Sequence, residues 1–496
     1  DEGKPHAEVI DGQQRLTTLT ILLAALTSYF SGDLRSDFEN YLREPGRASQ
    51  GLMPKPRLTL RERDRKFFAD YVQNLKFKEL VALDPAQLDN ESQRNIRRNA
   101  ELLLQKLDVS FQGATERLCE FGAFLVQRCF LVVVSTPSQQ SAFRVFSVLN
   151  SRGLDLLPTD IIKSDIIGNI KSPDKQDEVT ERWEELEVQT GRDGFAELFG
   201  HIRMIFAKEK ARRTLLEEFR EQVIKKYESP ETLMSTVVEP FAEAYLIAKK
   251  CQYLSTTNAA DVNALLKWLN RIENSDWLPS AIKFLATQGK NADYVLWFFR
   301  KLERLASFMH ICGYDVNQRI ERYASVLAAL EGAHSMESPI SAVQLTDEEK
   351  SKMLQVVDGD IYLMTARRRN HLLLRLDAFV GDGAATYDNG LLTIEHVLPQ
   401  TVDLASDWQK LWPDEALRQR WVHRLANLVP LTQKRNSQAQ NYDFDKKKSA
   451  YFGGKHGVSS YVLTTQVLNA SNWTPAVVEQ RQSDLIDVLA ARWDLK

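Results

Sequence analysis

Leu391-Leu-Thr-Ile-Glu395-His396-Val-Leu-Pro399-Gln400 is followed, after an insert, by Leu425-Ala-Asn427-Leu-Val-Pro-Leu431 and then by Thr432-Gln-Lys-Arg-Asn436-Ser-Gln-Ala-Gln-Asn441. The first segment reads as a short apolar strand ending in an acid and a histidine. Successive side chains of a strand face opposite ways, so Glu395 and His396 point to different sides. The second segment is another short apolar strand with an asparagine at its start. The third is polar and predicted helical, and it offers Asn436 and Asn441. Two strands and a helix, bringing Glu395 with His396, Asn427, and Asn436 or Asn441, are the fold expected for this end of the chain.

These residue types suit phosphodiester hydrolysis. Water must lose a proton to a neutral imidazole, and a divalent cation must neutralise charge on the phosphorus oxygens and the leaving 3′ oxygen. His396 is the candidate base. Glu395 and Asn436 are the candidate ligands for Mg²⁺ or another divalent cation, because hard cations prefer oxygen. Asn427 could fix the tautomer of the imidazole by bonding its other nitrogen. His423 and Asn441 are the alternatives for a catalytic or ligand role. A Glu-His pair can equally be the polar end of a strand.

The order of parts resembles a ββα-metal, HNH-type nuclease. More closely, the string resembles the C-terminal nuclease domain of GmrSD-type, modification-dependent restriction enzymes, in which an I-E-H-x-L-P-Q block precedes G-N-L and a later asparagine. Ala426 stands where that family usually has glycine, and Asn436 where many HNH enzymes have their last histidine.

A second block lies near the start. Asp11-Gly12-Gln13-Gln14-Arg15 leads directly into Leu16-Thr-Thr-Leu19 and an apolar-striped helix. A glycine turn opening a helix aims backbone N–H groups and the positive end of the helix dipole at one point, which suits a phosphate. D-G-Q-Q-R-L-T-T-L resembles the signature of the ParB-like, sulfiredoxin-like N-terminal domain of the same enzymes, where it belongs to a nucleoside triphosphate site. The string from Phe146 to Lys163, with Asn150-Ser-Arg152-Gly153 inside it, is similar to a further block of that domain. Asn150, Arg152 and Lys163 could face the nucleotide, or Asn-Ser-Arg-Gly could be only a helix-ending turn. Before it, Cys129-Phe-Leu-Val-Val-Val134 reads as a buried strand.

Bulk properties are those of an ordinary globular protein: 496 residues, 43% hydrophobic, 26% charged, net charge −3. That length predicts two or three domains. No apolar run approaches a bilayer span and no signal pattern opens the chain, so a cytoplasmic protein without membrane association is expected. Four scattered cysteines suggest neither a zinc knuckle nor a disulfide framework. Asp1 opens the chain with no methionine before the first motif, so the natural N-terminus and part of the first domain are expected to be missing.

With the net charge near zero, nucleic acid must be held by local patches. Candidates for DNA contact are Arg367, Arg368 and Arg369, ahead of the first strand, Lys446 and Lys447 after the second, and the basic run Lys208 to Arg213. From Trp183 to Gly332 the pattern is helical, with aromatics spaced for packing.

The expected architecture is α+β and predominantly helical. It comprises a truncated ParB/sulfiredoxin-like domain over 1–170, a helical spacer over 171–345 and an HNH-type ββα-metal nuclease domain over 346–496. The resemblance implies cleavage of modified double-stranded DNA under nucleoside triphosphate control, in bacterial defence; self-association is compatible with it. Two other readings stay open: a nucleotide-regulated DNA-binding protein with an inactive nuclease domain, and an RNase.

Overall fold

The computed structural model describes residues 9, 12–46, 49, 51, 53–135, 157–381, 392–432, 442–449 and 461–496. The chain divides into two compact units, Asp1–Leu156 and Leu157–Lys496, and is mostly helical with little sheet.

In the first unit the helix Gln13–Thr27 buries Ile21, Ala24, Ala25 and Leu26 against Ile96, Ala100 and Leu107 of the long helix Glu91–Phe111. That long helix starts where Asn90 Oδ1 accepts from Gln93 N at 2.9 Å, and ends where Gln112 turns left-handed, φ 51°. Alanines at the crossing let the two backbones approach. Gly122 of the helix Thr115–Arg128 serves the same purpose: a Cβ there would lie 2.4 Å from the Phe38 ring. A two-residue antiparallel ribbon pairs Arg43–Glu44 with Lys55–Pro56.

The run Cys129 to Val134 departs from expectation. It is not paired with any described strand, and Phe130, Val132 and Val133 are 87%, 92% and 82% exposed. Apolar content predicts burial only where another layer covers both faces, and none of the described residues supplies one. Asn150 and Arg152, with the start of the string from Phe146, lie outside the described residues.

The second unit begins with the helix Pro158–Ile167, which has proline at its first position and Asp160 Oδ2 accepting from Leu157 N at 3.0 Å. Leu157 is therefore the cap residue, and Asp160 acts from inside the first turn. Its helices from Pro173 to Ala329 bury the predicted aromatics: Trp183, Trp277, Phe298 and Phe299 are at most 1% exposed. Phe284 and Phe298 stack with centroids 3.8 Å apart. Thr346 caps the helix Asp347–Val357 with Glu349 reaching back, as its sequence predicts.

This core does not stop at Val343. It continues through Leu372, Leu373 and Leu376 into Ile394, Leu425, Leu428, Leu485 and Leu489, so the helical middle and the C-terminal ribbon share one apolar interior. The ribbon is antiparallel, Leu392–His396 with Leu428–Thr432, and sets Glu395 opposite Val429 and His396 opposite Leu428. Pro430 cannot donate to a ladder, and its carbonyl accepts from Thr464 Oγ1 at 2.7 Å. A smaller core around the ribbon holds Trp408, Trp412, Trp421 and Trp473.

One buried ring gives this unit an acid-sensitive stability. His371 lies 3.0 Å from Ser307 Oγ through Nε2, while its buried Nδ1 meets no partner among the described residues. Burial, with His310 and Arg375 nearby, pushes the imidazole from 6.5 down to about 3, so it folds neutral. The unfolded chain takes up the proton first. The stability is therefore complete above about pH 6.5 and is lost as the pH falls from there toward 3. Each such histidine contributes a slope of up to about 1.4 kcal/mol per pH unit. Urea midpoints should fall between pH 6.5 and 4.5, and His371→Gln should flatten that fall; an unchanged slope in the variant would contradict it.

Candidate active site

The first strand ends in the two side chains that its sequence marks, and they go separate ways. His396 is 5% exposed. Its Nε2 lies 3.3 Å from His423 Nδ1, and its Nδ1 lies 3.3 Å from Gln400 Nε2. The Tyr362 ring packs on it with centroids 4.1 Å apart, and lies nearly parallel to the His423 ring at 5.6 Å. Burial pushes the His396 imidazole down to about 3, helped by His423, Lys447 and Arg369, so it is neutral in the folded protein. A neutral imidazole is the form able to take a proton from water.

On the opposite face, Glu395 Oε1 meets Lys447 Nζ at 3.0 Å. The same ammonium donates to His396 O at 2.7 Å, and the Lys447 side chain is 1% exposed. Burial raises the Glu395 carboxyl above its usual range although Lys447 opposes it. A desolvated carboxylate that one ammonium does not fully compensate is a site where a further cation would be favourable. Among the described residues no group of three His, Cys, Asp or Glu could hold a metal by itself, and Asn436 and Asn441 lie outside them. Glu395 therefore fits as one oxygen donor of a larger set.

Asn427 does not touch the imidazole. It is fully buried, and its Oδ1 accepts from Leu398 N at 2.7 Å and from Trp473 Nε1 at 3.1 Å. Its Nδ2 donates to Leu398 O at 3.0 Å and Val422 O at 2.9 Å. An amide with two lone pairs and two protons is thereby saturated. The expected contact with His396 is replaced by an indirect one: Asn427 pins Leu398, two residues after His396, to Val422, the residue before His423.

Two family models match the chain. The one described as GmrSD restriction endonuclease, N-terminal domain, matches residues 1–167, and the one described as GmrSD restriction endonucleases, C-terminal domain, matches residues 347–488. The chain belongs to the GmrSD restriction endonuclease family. It is thus a DNA endonuclease of restriction defence, a hydrolase by reaction class. A comparison with curated proteins returns no match. Among the described residues no helix is long and apolar enough to cross a membrane.

The basic residues of this GmrSD chain are less available than its sequence suggests. Lys447 is buried under Glu395 and does not present its ammonium to solvent. Lys446 is exposed, its ammonium 3.5 Å from the Tyr442 ring centroid. Arg367 is exposed and pairs with Glu273 at 2.5 Å. Arg368 donates to Ile311 O, and Arg369 donates to Tyr362 O at 2.5 Å with its guanidinium over the Tyr362 ring. In the run from Lys208 to Arg213, Lys208 pairs with Glu331, Arg212 with Glu209 and Arg213 with Glu221, while Lys210 donates to Asn317 Oδ1 at 2.9 Å.

At the first block, Gly12 has φ 85° and opens the helix Gln13–Thr27. That left-handed backbone favours glycine. Gln13, Gln14 and Arg15 are exposed at the helix start, and Gln13 Nε2 donates to Val9 O at 2.7 Å. Asp11 lies outside the described residues. Lys163, on the first helix of the second unit, pairs with Glu184 at 2.9 Å.

Two residues beside the histidines, Gln400 and Tyr362, have no role in the sequence reading. Its position four residues after His396 could have flagged Gln400. Tyr362 carries no local signal, because its place against the histidines comes from Tyr362 N donating to His423 O across 61 residues.

Proposed function

We propose that this chain cleaves modified double-stranded DNA by an HNH-type, metal-dependent reaction, restrained by a nucleoside triphosphate at its N-terminal block. The observation that carries the reading is the strand end at which a neutral His396 and a partly buried Glu395 face opposite ways. His396 accepts a proton from the attacking water. Glu395, with Asn436, would hold a divalent cation such as Mg²⁺. When bound, the cation neutralises charge on the phosphorus oxygens and the leaving 3′ oxygen. Asn427 keeps the His396 turn in register with His423, and Asn441 is the alternative ligand to Asn436. Lys446 and Arg367 are exposed cations suited to DNA phosphates. Gly12, Gln13, Gln14 and Arg15, with Asp11, Asn150 and Arg152, form the proposed nucleotide set, whose helix start favours phosphate.

A second reading is favoured by one contact: Lys447 already occupies Oε1 of Glu395. On that reading the nuclease centre is inert and the chain is a nucleotide-regulated DNA-binding protein. Incubating the whole chain with matched, equally modified DNA and RNA, in Mg²⁺ and in chelator, separates the cases. Metal-dependent cutting of DNA supports the proposal, cutting of RNA alone makes the chain an RNase, and no cutting supports the inert reading. Arg15→Ala should lower nucleoside triphosphate hydrolysis at least about tenfold, by removing a guanidinium from the phosphate site. Hydrolysis at the wild-type rate would contradict the phosphate-site assignment.

A further inference from the structure

We propose that His396 takes the proton of water on Nδ1, that His423 is the positioning residue which fixes this tautomer, and that the Gln400 amide marks where the attacking water sits. The inference rests on the nuclease reading above and assigns its hydrogen bonds.

With the Gln400 amide nitrogen turned toward the ring, the order of donors and acceptors leaves one consistent direction. An amide nitrogen only donates, so Gln400 Nε2, 3.3 Å from His396 Nδ1, faces a lone pair there. With a lone pair at Nδ1, the ring proton of His396 sits on Nε2 and points at His423 Nδ1, 3.3 Å away. His423 must accept it, and its own proton lies on Nε2. The reverse assignment sets an N–H of Gln400 against an N–H of His396. Both ring planes are fixed by one residue, since Tyr362 packs on His396, lies nearly parallel to His423 and donates its backbone N–H to His423 O at 3.0 Å. Tyr362 is itself held by Arg369 through its carbonyl and its ring face.

Gln400 is exposed whereas His396 is nearly buried, so the amide is the movable member of the contact. A water that replaces its nitrogen at Nδ1 donates along the same line. In the reaction one O–H proton of that water passes to Nδ1, and the oxygen left behind bonds to phosphorus. The bond from phosphorus to the 3′ oxygen breaks, and that oxygen takes a proton from solvent. The imidazolium so formed keeps its Nε2–H on His423 Nδ1 and releases the Nδ1 proton to solvent, after which the Gln400 amide returns to Nδ1.

The test reads the tautomer directly. In full-length protein labelled with ¹⁵N-histidine at pH 7.5, long-range ¹H–¹⁵N correlations should place the His396 proton on Nε2, with the assignment taken from His396→Asn. In His423→Ala the proton should redistribute toward Nδ1, with kcat down about 10- to 100-fold and KM little changed. Gln400 is exposed, so its variants should fold. Gln400→Glu places at Nδ1 a carboxylate that demands a proton there, and should cut more slowly than Gln400→Ala. A packing role would instead make the nearly isosteric glutamate the milder change. A His396 proton on Nδ1 in an active enzyme, or Gln400→Glu cutting as fast as Gln400→Ala, overturns the proposal and leaves the nuclease reading standing. An Nε2 proton in a chain that cuts nothing overturns both the nuclease reading and the catalytic role of Nδ1.

Discussion

His396→Ala is expected to lower metal-dependent DNA cleavage by about 10²- to 10⁴-fold, the usual contribution of a positioned general base. The fold should survive, because His396 ends a strand whose other members keep their ladder and whose apolar neighbours are untouched. Removing a ring that is neutral in the folded state leaves no buried charge unpaired. Urea midpoints at pH 7.5 should move little, and the loss should appear in kcat. Cleavage at the wild-type rate would remove the base from this account.

Asn427→Ala is expected to do the opposite, lowering stability and activity together. It deletes four hydrogen bonds at a fully buried position and leaves Leu398 N, Leu398 O, Val422 O and Trp473 Nε1 without that partner. Each lost bond to a buried group costs on the order of 1 kcal/mol, so the second unit should lose about 3–5 kcal/mol. Because the same bonds align the backbones beside His396 and His423, residual folded protein should cleave at least about tenfold more slowly. Urea unfolding and single-turnover cleavage below the new midpoint check the two halves. A stable, fully active variant would show that Asn427 positions nothing.

The residues themselves explain how far sequence reading reaches. Glu395 and His396 are legible because a strand alternates, so two adjacent polar residues after an apolar run must face apart. The cap at Thr346 and the buried aromatics from Trp183 to Phe299 are legible because capping and helical periodicity are local. Asn427 is legible as the asparagine that opens the second strand, but its partners are not. Val422, at the end of the helix Glu415–Val422, and Trp473, in the segment before the helix Pro475–Trp493, reach it through tertiary packing. Lys447 reads as a surface lysine in a basic run, and only the fold shows it turned inward to Glu395. The triple arginine is similar, since Arg368 and Arg369 spend their donors on Ile311 O and Tyr362 O. Long side chains with several donors satisfy buried carbonyls as readily as phosphates, and sequence cannot distinguish the two uses.

The exposed run from Phe130 to Val134 marks the other limit. Five consecutive apolar residues predict a buried strand only when covering layers accompany them, and pattern in one segment carries no information about its neighbours. The shared core that holds both Phe298 and Leu489 is a further case, because it runs across the 345/346 boundary expected from sequence, and packing between distant segments leaves no local signal.

The most direct measurement is cleavage by the whole chain on a panel of DNAs that differ only in base or backbone modification, each with and without Mg²⁺ and with and without each nucleoside triphosphate. The account predicts cutting confined to modified DNA, requiring the metal and changed by nucleotide, and lost in His396→Ala. Cleavage of unmodified DNA at the same rate in the absence of nucleotide, or cleavage that persists in His396→Ala, would contradict it.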